Sequence, residues 1–188
     1  MKRTIYDGDT IELDGRSFTV KFPDDDFGRT PWEDDDGAGI VTDWTSRDKA
    51  PGERVLNTDG GSKRYYDFAG TLAKAKRDGW GLADAEKAAL ARELGREPSK
   101  AEIAVKAVER DFNRMRRWCN DQWRYVGVVV TDDETGEHDS LWDIESDCDE
   151  YLAEVAHELA SGLNAQHAER LAAEIAASRP DLVPNYAE

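Results

Sequence analysis

Apolar residues recur in this chain at two different spacings, and the change between them limits the fold to a mixture of strands and helices. In residues 10–22 they alternate with polar residues on both sides of Asp14-Gly15. Ile11 and Leu13 then share a face with Phe18, Val20 and Phe22, and Asp-Gly accepts the positive φ angles of a tight hairpin turn. Residues 40–61 contain Asp43-Trp44, a short apolar Val55-Leu56 and a Thr58-Asp59-Gly60-Gly61 break, which read as a third short strand and a turn. From Ser62 the period lengthens. Tyr65, Phe68, Ala69, Leu72, Ala73 and Ala75 predict a helix that ends near Gly79-Trp80-Gly81. Asp84 starts a shorter helix marked by Leu90 and Leu94 and stopped by Gly95. Ser99 and Glu102 have the spacing of a capping box, in which each side chain satisfies a backbone donor at a helix start. In the helix that follows, Ala101, Ala104, Val105, Val108, Phe112, Met115 and Cys119 form one apolar face.

Residues 123–131 are rich in aromatic and β-branched types and read as a buried strand. Asp132-Asp133-Glu134-Thr135-Gly136 is a turn, and residues 138–145, with Leu141, Trp142 and Ile144, return as the hairpin partner. Beyond Asp147-Cys148-Asp149, the positions Leu152, Val155, Leu159, Leu163, Leu171 and Ile175 define a long amphipathic helix that Ser161-Gly162 could kink and Pro180 ends. The expectation is an α+β fold: an N-terminal hairpin with a short third strand, central helices, then a C-terminal hairpin and a long helix. With 188 residues, one domain over 1–188 is the default, and a subdivision into 1–61, 62–122 and 123–188 is the alternative.

Charge is unevenly placed along that plan. The net charge is −16: residues 1–60 hold 15 acidic and 8 basic side chains, 61–130 hold 10 and 15, and 131–188 hold 16 and 2. Two acidic regions thus flank a basic helical one. Either they neutralise each other on folding or they face different partners. The longest apolar run is Val128-Val129-Val130, far short of the roughly 20 residues that cross a bilayer. The N-terminus lacks an apolar signal core, so a cytoplasmic location is expected, and no membrane partner. Cys119 and Cys148 alone make no disulfide framework and are expected to be reduced.

Residues 123–159 carry Trp123, Tyr125-Val126-Gly127-Val128-Val129-Val130, Ser140-Leu141-Trp142, Ile144-Glu145-Ser146-Asp147, Tyr151-Leu152 and Glu154-Val155-Ala156. This stretch resembles a strand-strand-helix module in uncharacterised proteins of bacteriophages and prophages. The resemblance implies a viral origin, with an infected bacterial cell as the location, and lends no catalytic residues. Leu94-Gly95-Arg96-Glu97-Pro98-Ser99-Lys100-Ala101-Glu102-Ile103-Ala104 is similar to a signature joining two helices in the bacterial sigma-factor family. A helix stop, a proline and a capping box would give the same letters.

Candidate chemistry is sparse. Glu154-x-x-His157 has metal-ligand spacing on a helix, but His167 lacks a Glu three residues before it. Cys119 belongs to an apolar face, and Cys148 lies among Asp147, Asp149 and Glu150, which oppose a thiolate. Gly60-Gly61-Ser62-Lys63-Arg64, read before a helix, could cradle a phosphate, although P-loop spacing is missing. The acidic runs lack the spacing of a calcium loop. No nucleophile and base pair emerges, so a binding protein is expected rather than an enzyme, with no cofactor and no metal.

The binding surface is expected in two patches. The main one comprises Asp143, Glu145, Asp147, Asp149, Glu150, Glu154, Glu158, Glu169 and Glu174; the second comprises Asp24, Asp25, Asp26, Asp34, Asp35 and Asp36. Dense carboxylates steer association with a basic cleft and compete there with phosphates. The expected function is therefore a phage-encoded inhibitor of a host defence complex, a CRISPR effector or a restriction enzyme, acting as a DNA mimic or by blocking a basic groove. The alternative is an accessory protein that binds its partner through helix faces, or as a homodimer. Arg110, Arg114, Arg116, Arg117 and Arg124, interleaved with Trp118, Trp123 and Tyr125, could instead hold nucleic acid directly. Pairing of these arginines with the acidic helix or the 24–36 loops is the reading preferred here.

Overall fold

The computed structural model describes residues 4–25, 30–34 and 37–178. The chain has an α+β fold that separates into two compact units. The first holds the described residues within Met1–Asp26 and Arg124–Glu188, the second those within Phe27–Trp123.

In the first unit, β1 (Thr10–Leu13), β2 (Arg16–Lys21), β5 (Tyr125–Asp132) and β6 (His138–Glu145) form an antiparallel sheet in the order β1-β2-β5-β6, and α5 (Asp149–Ser178) packs on it. Alternation decides which side faces the helix. Phe18 and Val20 on β2, Val126, Val128 and Val130 on β5, and Ile144 on β6 are buried with Leu152, Val155, Ala156, Ala160 and Leu163 of α5. Asp14 and Gly15 take φ of 51° and 81°, the left-handed turn that the hairpin requires. Opposite Gly127, β6 carries an extra residue, and Asp143 there has φ 62°. The Trp142 indole covers Gly127 so closely that a Cβ would lie 2.6 Å from the ring, so this position needs glycine.

α5 is not interrupted at Ser161-Gly162, where the Ser161 hydroxyl donates to the His157 carbonyl at 2.7 Å. The apolar stripe, however, is buried only as far as Leu163. Leu171 and Ile175 are 49% and 53% exposed. Thirty residues of helix span about 45 Å, whereas an eight-residue strand spans about 27 Å, so the helix outruns its sheet. Pro180 lies outside the described residues.

In the second unit, β3 (Glu53–Asp59) pairs with β4 (Ser62–Asp67) as a two-stranded sheet that accompanies α1 (Pro31–Asp34), α2 (Phe68–Asp78), α3 (Asp84–Leu94) and α4 (Lys100–Cys119). The expected helix from Ser62 is corrected here: residues 62–67 are a strand and the helix starts at Phe68. Tyr65 and Tyr66 point to opposite sides of β4 and both are fully buried, a placement that suits aromatic strand residues. Asp67 then caps α2 by accepting from the Gly70 amide at 2.8 Å. Gly60-Gly61, at φ 51° and 95°, is the turn of this hairpin and precedes a strand, so the phosphate cradle at a helix start does not exist. A division at residue 61 would cut this hairpin. The box at Ser99 and Glu102 forms as read, with Glu102 Oε2 accepting from the Ser99 amide at 2.8 Å.

Candidate functional site

The first unit gathers the charge. Its described residues hold 20 Asp and Glu against Arg16, Lys21, Arg124 and Arg170, a net of −16, whereas the described residues of the second hold 16 against 17 Lys and Arg. The acidic C-terminal region and residues 1–26 are therefore parts of one body, while residues 27–60 belong to the other. Three of its four cations are already engaged. Arg124 pairs with Asp24 at 2.5 Å, Arg170 with Glu137, and Arg16 with Asp132. The Arg170 guanidinium holds the Glu137 carboxyl below the usual range. Asp132 is 1% exposed, and burial works against its charge. Hydrogen bonds from the Thr135 hydroxyl and the Glu134 amide, with Arg16 beside it, outweigh that and keep its carboxyl low.

One end of the sheet brings the two expected patches together. Asp24 bridges to Val126, the Asp25 amide donates to the Tyr125 carbonyl at 3.0 Å, and Arg124 and Ser146 exchange backbone and hydroxyl hydrogen bonds. Asp24 and Asp25 thereby stand at the same end as the corner between β6 and α5, which carries Glu145, Asp147, Asp149 and Glu150. Asp143 sits nearby on the exposed strand edge. From that corner Glu150, Glu154 and Glu158 run along the exposed side of α5 at four-residue steps, without an ion-pair partner among the described residues. Glu169 and Glu174 lie farther along the same helix, where it leaves the sheet. The rest of the second patch is divided: Asp34 belongs to α1 of the other unit, and Asp26, Asp35 and Asp36 lie outside the described residues.

Other candidates are placed as follows. Glu145, Asp147 and Cys148 bring one ligand atom each within 4.8 Å of one another, and among the described residues this is the only such group; Glu154 and His157 are exposed and take no part in it. Burial pushes the Cys119 thiol up, partly opposed by Arg64. Arg110 pairs with Glu86 at 2.7 Å, and the Arg114 guanidinium stands 5.0 Å from the Trp123 ring centre. Arg124 meets the 24–36 run through Asp24.

Sequence reasoning did not find the buried polar centre of the second unit. Asp111 accepts from the Tyr66 hydroxyl at 2.6 Å and the Gly39 amide at 3.0 Å, and burial together with the Asp111 charge drives the Tyr66 hydroxyl far above its usual range. The signal was an aspartate, Asp111, beside Phe112 on the apolar face of a predicted helix, a position that requires a partner. Among the described residues no helix is long and apolar enough to cross a membrane. No family model, curated protein or solved structure matches the chain.

Proposed function

We propose that the protein is a phage-encoded inhibitor that inserts its anionic first unit into the basic groove of a host nucleic-acid-binding complex, a CRISPR effector or a restriction enzyme. The observation that carries this reading is the concentration of a −16 net charge in the described residues of one unit, whose described arginines are already paired internally. Excess carboxylate is then left for a partner. Spacing refines the idea. Carboxylates four residues apart on α5 advance about 6 Å per step, against about 3.4 Å per phosphate along one DNA strand. The helix therefore supports filling a positive groove better than a phosphate-by-phosphate replica, and the charge at the sheet end adds to it.

The test is inhibition of DNA cleavage by a panel of restriction endonucleases and CRISPR effectors, across a salt series. The expected result is inhibition of at least one enzyme that weakens as salt rises. Joint reversal of Glu150, Glu154 and Glu158 to Lys should reduce it by about tenfold or more. Absence of inhibition throughout the panel, or inhibition indifferent to the triple reversal, overturns the reading. A second reading, an accessory protein that docks through a helix face, is favoured by the half-exposed Leu171 and Ile175 on the overhanging end of α5. Its binding would be insensitive to salt and lost on Leu171→Glu.

A further inference from the structure

We propose that the second unit binds a small phosphorylated ligand with a planar ring, a nucleoside phosphate, in a cavity between α2, α3 and the start of α4. The cavity is about 670 Å³, within the range of small-molecule sites, and its lining contains no aspartate or glutamate. Ala75 of α2 with Ile103 and Ala104 of α4 give it apolar walls, and Trp80 supplies an indole. Three cations from three different helices, Lys76, Lys87 and Lys100, complete the lining. Lys76 and Lys100 have no carboxylate partner among the described residues, and Lys87 reaches only the exposed Asp84, at 3.8 Å.

Such convergence of cations, with a single exposed carboxylate beside one of them, suits an anion. In the second unit it cannot be put down to a generally basic surface, because acids and bases there are nearly equal in number. The first-turn residues Lys100 and Ala101 of the 20-residue α4 also line the cavity. Trp80 is half-buried against the two apolar clusters of this unit, with Lys74 Nζ 6.0 Å from its ring centre, and is flanked by Gly79 and Gly81, where an added Cβ would meet nothing within 4 Å. Its amide is fixed to the Ala75 carbonyl at 2.9 Å. A second cavity, of about 380 Å³, shares Trp80 and Gly81 and brings Arg110 and Arg114 to the same segment. An aromatic platform beside cations fits a base attached to phosphate. This inference is independent of the inhibitor reading.

Titration of the full chain with ATP, without divalent cations so that the acidic unit cannot recruit it through a metal bridge, is the direct experiment. Calorimetry should detect binding, with adenosine and inorganic phosphate each weaker by about tenfold or more. The double variant K76A/K100A, at two exposed positions, should lose about tenfold in affinity with an unchanged circular dichroism spectrum. Trp80→Phe should keep part of the affinity that Trp80→Ala loses. Failure of ATP to bind at about 1 mM overturns the proposal, as does binding unaffected by K76A/K100A. Inorganic phosphate binding as tightly as ATP would remove the ring from the site and overturn the nucleoside assignment.

Discussion

The two units share a chain and divide its chemistry. The first has a conventional apolar interior, a sheet face under a helix, and carries nearly all its polarity outside as uncompensated negative charge. The second is close to neutral and keeps polar groups inside: Asp111 and Tyr66 at the centre, with Thr71 accepting from the Ile40 amide. Surface charge and buried polarity are thus separate decisions. A unit that presents a strong field gains from a core that needs no charge of its own, apart from the Arg16 and Asp132 pair at the edge.

Residue-resolved amide exchange reads each unit separately and can break this contrast. The largest effect is expected from Phe18→Ala, which opens a cavity in a fully buried position; amides of β2, β5 and α5 should lose about 4 kcal/mol of protection while those of α2 and α4 keep theirs. Equal losses in both units would show one cooperative body. Asp111→Ala leaves the Tyr66 hydroxyl and the Gly39 amide without this acceptor, and should cost about 2 kcal/mol in the second unit only. Acid gives the smallest effect. Glu53 and Glu102 are held at about 2 by Arg47 and Arg96. A lowered carboxyl contributes stability above its unfolded value near 4.5 and loses it as pH falls towards 2. Protection in the second unit should fall over that window, and E53Q/E102Q should flatten the fall.

Local signals carried much of the fold. Asp14-Gly15 set a hairpin because its backbone needs are met within two residues, and Ser99 with Glu102 set a helix start for the same reason. Tyr65, Phe68, Ala69 and Leu72 misled, because their spacing fits a helical face even though the first belongs to a strand. Asp67, a good N-cap between them, marked the true boundary. The unit structure was illegible for a different reason. The hydrogen bonds that join residues 23–25 to 125–127 link positions about 100 apart, and no local pattern encodes such a pairing. Charge counted along the sequence therefore gave two acidic flanks around a basic centre, where the fold has one acidic body and one neutral one. For the candidate surface, residues 143–158 were legible as a continuous acidic stretch, while their meeting with Asp24 and Asp25 was not.

That junction also fixes an order of events. The Pro23 carbonyl accepts from the Gly127 amide at 2.9 Å beside the Asp25 to Tyr125 bond, so the chain leaves the first unit and re-enters it at adjacent points. A ribosome releases β1 and β2 long before β5, the strand that β2 must pair with, and the intervening segment is a complete unit by then. Closing an unstructured loop of about 100 residues costs about 2.5 kcal/mol more than closing one of about six. Prior folding of the inserted segment removes much of that chain entropy, so the neutral unit, once folded, lowers the cost of pairing β2 with β5.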